Sequence, residues 1–275
     1  MIKKNLGIFL LAGLLSLFAS CNNDSNSPTV GKGSFNVSLS TNTDVVPVLR
    51  STTATQSVAP SVEDFRLTLT NESGDFSRKW NSIDKINPEE TFDIGNYVLK
   101  AEYGSIEEEG FTTPYFVGET QFTIRDHETT PVNVMCALGH VKFTLNYTEA
   151  FKNYFSEYEA TVHSSAGRNV IITQSETRDA YLRPGDITMQ LQLTKPNGVS
   201  ATYEPAKIKG AQAREHYIVT FDISETLGEV MLTVVFDEAT ELSPITINVS
   251  EEAMIAPAPY IMLDGITNGG KIELK

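Results

Sequence analysis

Cysteine is nearly absent from this chain: 275 residues carry two, Cys21 and Cys136. Two thiols cannot build a disulfide framework or a cysteine-based zinc site. Histidine is scarce as well, with four residues and no HxxxH or HxH spacing, so the usual imidazole metal site is missing too. No Asp-x-Asp-x-Asp calcium loop, no serine nucleophile elbow and no phosphate-cradling glycine loop can be read anywhere. No cofactor and no metal are therefore expected. Basic residues are outnumbered, 21 Lys and Arg against 35 Asp and Glu, for a net charge of −14. Such a chain repels phosphate backbones and anionic bilayer surfaces, which argues against nucleic acid as a partner. No apolar run reaches the ~20 residues that a membrane span needs.

What the chain does have starts at its N-terminus. Lys3 and Lys4, an apolar segment from Leu6 to Phe18 and then small residues before a cysteine make a secretory signal. Leu17-Phe18-Ala19-Ser20-Cys21 resembles a bacterial lipobox, with Phe18 where leucine is usual. The resemblance implies that residues 1–20 are removed and that Cys21 is acylated as the new N-terminus. The partner so implied is the outer membrane, through a lipid anchor. Losing Lys3 and Lys4 takes the net charge to about −16 and leaves 255 residues, more than one ~100-residue β-sandwich uses. Residues 21–32 are mostly Asn, Asp, Ser, Pro, Thr and Gly with little to bury, and read as a flexible tether. Cys136 lies in the apolar run Val132–Cys136 and reads as a small buried hydrophobe.

Beyond the tether, apolar residues alternate with polar ones, the period-two pattern of half-buried strands. Phe65–Leu69, Phe122–Ile124, Val141–Leu145 and Thr246–Val249 show it, separated by turn sequences such as Asn71-Glu72-Ser73-Gly74 and Pro184-Gly185-Asp186. A helix is expected only over Glu149–Tyr158, behind Thr148 as N-cap. The chain also repeats itself. Phe65–Gly74 resembles Tyr158–Gly167, Ile94–Leu99 resembles Pro184–Met189, and Gly139–Leu145 resembles both Gly228–Val234 and Gly33–Leu39. The fold class expected is all-β: two tandem immunoglobulin- or transthyretin-like sandwiches, over residues 33–138 and 139–249, with one short helix and a C-terminal tail over 250–275.

Paired acids for glycosidase chemistry would have to come from Glu107, Glu108 and Glu109 or from Glu251 and Glu252; runs of like charge in a loop are ordinarily just solvated. The segment from Tyr103 to Phe116 is the candidate ligand loop. Tyr103, Phe111, Tyr115 and Phe116 surround Glu107, Glu108 and Glu109, and rings beside carboxylates suit sugars, because rings stack on C–H faces while carboxylates accept from hydroxyls. The competing reading is that these aromatics pin a long loop onto its own sandwich. Trp80, the single tryptophan, poses the same choice between core and platform. His127, His140 and His163 read as ordinary strand or turn residues.

Several motifs occur together: Asp64-Phe65-x-Leu67-x-Leu69-Thr70-Asn71, Gly95-Asn96-Tyr97-x-Leu99-x-Ala101-Glu102-Tyr103-Gly104, Pro114-Tyr115-Phe116-x-Gly118, Pro131-Val132-x-Val134-x-Cys136-x-Leu138-Gly139 and Ala256-Pro257-Ala258-Pro259. The set resembles a family of Bacteroides-type lipoproteins known as a domain of unknown function, distantly similar to fimbrillins. The resemblance implies tandem sandwiches and supplies no catalytic residues. It implies a lipoprotein of the outer membrane exposed at the cell surface, for which Asn22-Asn23-Asp24 offers one acid of an export signal. Related fimbrillins mature by a cut after an arginine near the N-terminus, which frees a groove for another subunit's strand. Arg50, behind the apolar run Val45–Leu49, is the matching candidate processing site. The functional expectation is a non-enzymatic, lipid-anchored surface protein for adhesion or for binding a glycan or protein. The alternatives are a self-assembling fimbrillin-like pilus subunit or anchor, and a carbohydrate-active enzyme on a sandwich scaffold.

Overall fold

Strict alternation makes the strands. In Arg66–Asn71, Leu67 and Leu69 are buried while Arg66 and Thr68 turn outward, and in Thr129–Leu138 the buried set is Val132, Val134, Cys136 and Leu138. The computed structural model describes residues 31–47, 58–112, 114–165, 168–226, 229–236, 245–249, 254, 262–263 and 272–273. The signal peptide, Cys21, most of the tether, Arg50, Glu251, Glu252 and the 256–259 motif lie outside the described residues.

The first half contributes β1 (Lys32–Asn42), β2 (Val46–Pro47), β3 (Arg66–Asn71), β4 (Ser77–Trp80), β5 (Phe92–Asp93), β6 (Gly95–Tyr103), β7 (Phe116–Ile124) and β8 (Thr129–Leu138). The second contributes β9 (Val141–Tyr147), the helix α1 (Glu149–Tyr154), β10 (Glu157–Ser164), β11 (Asn169–Thr173), β12 (Ala180–Leu182), β13 (Gly185–Thr194), β14 (Ser200–Ala211), β15 (Glu215–Thr226), β16 (Glu229–Phe236), β17 (Ile245–Asn248), β18 (Met262–Leu263) and β19 (Ile272–Glu273). The protein is all-β, with one α-helix among the described residues.

Three sheets result, ordered β4-β3-β6-β7-β8-β1-β5, β11-β10-β13-β14-β18-β19 and β12-β9-β15-β16-β17. In the first, β7 pairs with β6 along nine residues but with β8 only at Phe116 and Val117. The sheet opens there, so that Leu67, Leu69, Leu99 and Ala101 meet Phe35, Val132, Val134 and Cys136 in one core. The second core lies between the other two sheets, where Ala160, Val162, Met189 and Leu191 face Val141, Phe143, Val219 and Phe221.

The internal repeat extends to strand pairing. β1 pairs in parallel with β8 and antiparallel with β5; β9 pairs in parallel with β15 and antiparallel with β12. β3 sits between β4 and β6 just as β10 sits between β11 and β13. Gly33 and Gly139 thus precede or open equivalent strands. The segment that looked like a third copy forms β16, which extends the second half's sheet from β15; Gly228 itself lies outside the described residues.

The helix is shorter than its pattern. Thr148 caps it by accepting from the Phe151 amide, and it ends at Tyr154. The Ser156 amide donates to Thr194 O, and Tyr158 pairs with Leu193 on β13. The Phe155 amide closes the last helical turn on Phe151 O, and sheet pairing wins over helical spacing from Ser156 to Tyr158. The described residues form a single compact unit beginning at Gly31, with one hydrophobic core drawn from Phe35 to Leu138 together with Tyr181 and the other from Val141 to Met254.

Candidate functional site

Pairing of β3 with β4 and β6, and of β1 with β5, brings two distant turns together at one end of the first half. One is Asn71–Asp75, a tight turn in which Gly74 has φ 77°, a conformation L side chains rarely adopt. The other is Glu90–Gly95. Between them lies a cleft of about 890 Å³, floored by Phe76, Phe92 and Tyr97 and rimmed by Asn71, Glu72, Asp75, Arg78, Glu90, Asp93 and Asn96. A second hollow of about 490 Å³ shares Asn71, Glu72, Asn96 and Tyr97 and continues to Gln121 and Thr123. Both volumes fall in the range of small-ligand sites.

The cleft is held in shape by its own polar groups. The Asn71 side chain accepts from the Phe76 amide at 3.0 Å and donates to Asp75, which also accepts from Ser73. These hydrogen bonds hold the exposed Asp75 carboxyl below its ordinary range. Asn96 donates to Glu72 at 2.9 Å and accepts from Thr123 at 2.8 Å. The Tyr97 hydroxyl donates to Asp93 O at 2.9 Å, and burial followed by the Asp93 and Asp75 charges raises its pKa. Phe76 meets Phe92 and Tyr97 edge-on, with centroids 6.0 Å apart in each case. Phe76 is half-buried while Phe92 and Tyr97 are buried beneath it; a partly open ring under a rim of amides, hydroxyls and carboxylates can stack on an apolar ligand face while the rim accepts from ligand donors. None of these residues stood out in the sequence as part of a ligand site: Asn71, Asn96 and Tyr97 entered only as members of longer motifs, and Asn71–Gly74 reads simply as a turn.

The segment Tyr103–Phe116 lies against the second half. Gly110 and Tyr181 exchange backbone hydrogen bonds of 3.1 and 2.7 Å. Arg183 donates from its amide to Glu109 and from its guanidinium to Glu107 at 2.6 Å. Phe111 packs against the second core, with the Arg178 guanidinium 5.3 Å from its ring. Tyr103 packs on Phe65 at 5.9 Å, and Phe116 is fully buried. Tyr115 is buried, its hydroxyl on Glu102; burial and that carboxylate raise its pKa. Glu108 is exposed, with its amide donating to Ser105 O.

The histidines divide by environment. His127 sits exposed in a turn at φ 58°, and His163 contacts Asn169 on the outer face of β10. His140 is fully buried between β8 and β9. It accepts from the Tyr115 amide at Nδ1 and donates from Nε2 to Ile106 O, and burial lowers its pKa. His216 is buried beside Lys142, whose ammonium pairs with Asp179 at 2.9 Å. Burial first, then the Lys142 charge, pushes His216 down to about 4. Cys136 is fully buried, and burial pushes its thiol up to about 11; Trp80 is buried in the first core.

Residues 31–251 match a family model described as domain of unknown function (DUF4493). No curated protein matches the sequence. Among solved structures the chain is similar to a Bacteroides thetaiotaomicron protein provisionally named as polysaccharide-binding, at 11% identity and TM-score 0.40 over 80% of this chain and 99% of that one. It is similar to a provisionally named cell adhesion protein of Bacteroides fragilis, at 10% and 0.41 over 77% and 99%. A fimbrial assembly protein of Parabacteroides distasonis gives 10% and 0.42 over 67% and 91%. At these scores none of the three bears on the ligand.

Proposed function

The chain belongs to the DUF4493 family, and from that premise we propose that it is a non-catalytic binding protein of the cell surface, held at the outer membrane by lipid on Cys21. Its ligand is a glycan or protein taken up in the cleft between Asn71–Asp75 and Glu90–Gly95. The observation that carries this reading is the cleft itself: an aromatic floor of Phe76, Phe92 and Tyr97 under a pre-shaped polar rim. Sites of that make-up recognise ligands through a few placed polar groups and an apolar surface. The lipobox-like Leu17–Cys21 supports the address.

Whole cells carrying the protein are expected to capture fluorescent polysaccharides or host proteins, and cells with Phe76→Ala are expected to lose that capture at equal surface level. Capture unchanged by Phe76→Ala would remove the cleft from the proposal. Assembly through release of β1 after Arg50 is the competing reading. It must overcome the nine-residue parallel pairing of β1 with β8.

A further inference from the structure

Resting on that reading of the cleft, we propose that its ligand is an uncharged oligosaccharide, and that charge on the rim selects against acidic glycans. The rim carries Glu72, Asp75, Glu90 and Asp93 against Lys32 and Arg78. Both cations are already engaged: Lys32 pairs with Asp93 at 3.5 Å and Arg78 with Glu90 at 3.3 Å. The hydrogen-bond partners of the other two carboxylates are neutral: Asn96 for Glu72, and Asn71 and Ser73 for Asp75. A carboxylate or sulfate on the ligand would meet two anions, and the two rim cations already hold carboxylate partners. Hydroxyl groups, in contrast, would find carboxylate and amide oxygens as acceptors.

The floor adds shape to this charge preference. Phe76 is half-buried, leaving part of its ring to the cleft above Phe92 and Tyr97. An aromatic surface with polar groups at its edge matches the alternation of C–H faces and hydroxyl edges in a pyranose chain. The continuation past Asn96 to Gln121 and Thr123 offers more amide and hydroxyl groups, so several sugar units fit better than one.

The test measures binding of the purified chain to neutral polymers (laminarin, mannan, dextran) and acidic ones (polygalacturonate, heparin), at low salt where charge effects are largest. Expected is binding to a neutral polymer, weaker by about tenfold or more in Phe76→Ala, with acidic polymers bound poorly. The double variant Glu72→Gln plus Asp75→Asn keeps the shape and removes the charge, and is expected to bring acidic polymers toward parity. Thermal unfolding checks that each variant is folded; if Phe76→Ala is not, Asn96→Ala replaces it. Preference for an acidic polymer or for a protein, lost in Phe76→Ala, would overturn the ligand class and leave the cleft standing. Binding indifferent to both variants, or no binding to any polymer or protein, would overturn the cleft as well.

Discussion

Gly110 and Tyr181 exchange both of their backbone hydrogen bonds, at 3.1 and 2.7 Å, although one precedes β7 and the other lies on β12. Tyr181 belongs to the second half by strand and to the first by packing, since its side chain joins the core of Phe65, Leu99 and Val134. Other ties run the same way. His140 bridges the Tyr115 amide and Ile106 O, Arg183 holds Glu107 and Glu109, and β2 pairs with Glu215 and His216 of β15. The two halves are joined by backbone pairing, by the Tyr181 ring that β12 places in the first core, and by side-chain hydrogen bonds.

Tyr181→Ala is therefore expected to lower the stability of the entire described fold. Truncating a buried aromatic costs about 3–5 kcal/mol, and here the ring lost is the one a strand of the second half places in the first core. Urea unfolding followed by far-UV circular dichroism should show one transition moved to lower urea. Two separated transitions, with one unmoved, would show that the halves unfold independently.

Acid should weaken the same junction through His216. Its ordinary value is about 6.5 and the fold lowers it to about 4, because burial and Lys142 oppose the charged ring while Asp179 opposes them less strongly. The fold thus favours the neutral imidazole. The stability tied to neutral His216 is complete above about pH 6.5 and is lost as pH falls toward 4, at about 1.4 kcal/mol per pH unit for one proton. His140, lowered by burial, adds in the same direction. The urea midpoint should fall between pH 6.5 and 4.5, and His216→Gln should flatten part of that slope. An identical slope in the variant would remove His216 as the cause.

Much of the fold was legible because burial on one sheet face writes itself as period two: Leu67 and Leu69, and Val132 and Val134, alternate as read, whereas on β9 Lys142 is buried along with Val141 and Phe143 and the alternation fails there. The helix was overextended because Tyr158 keeps helical spacing while the backbone from Ser156 onward joins β13. Val46–Pro47 could not be read as a strand, since two residues carry no period and their partner lies on β15. The cleft was invisible for a similar reason. Asn71–Gly74 signals only a turn and Glu90–Asp93 signals nothing local, and only long-range strand pairing makes them neighbours.

Lipid on Cys21 is expected to anchor the protein to the membrane. Acyl chains contribute about 0.8 kcal/mol per buried CH₂, so several chains together hold a protein firmly. Among the described residues, no helix is long and apolar enough to cross a membrane. Metabolic labelling with a clickable fatty acid should mark the wild-type chain, and Cys21→Ala should lose the label and be released. Label retained by Cys21→Ala would overturn the lipobox reading.

Brief trypsin treatment is expected to nick the chain at Arg50 and leave a monomer. A cut there severs the covalent link between β1 and the rest, but β1 remains bound by other means. Nine residues from Ser34 to Asn42 pair in parallel with Thr129–Ala137, Phe35 is buried among Trp80, Phe92 and Phe122, and Val37 and Leu39 pack against the same core. Losing β1 would expose that apolar face and leave the β8 ladder unpaired, an edge that attracts strands from other chains. The bound segment therefore protects the protein from assembly for as long as it stays. Electrophoresis without boiling should show one nicked species that separates into two fragments only in denaturant. A ladder of stable multimers beginning at Ser51 would show instead that a second copy's strand outcompetes β1, and would make assembly the function.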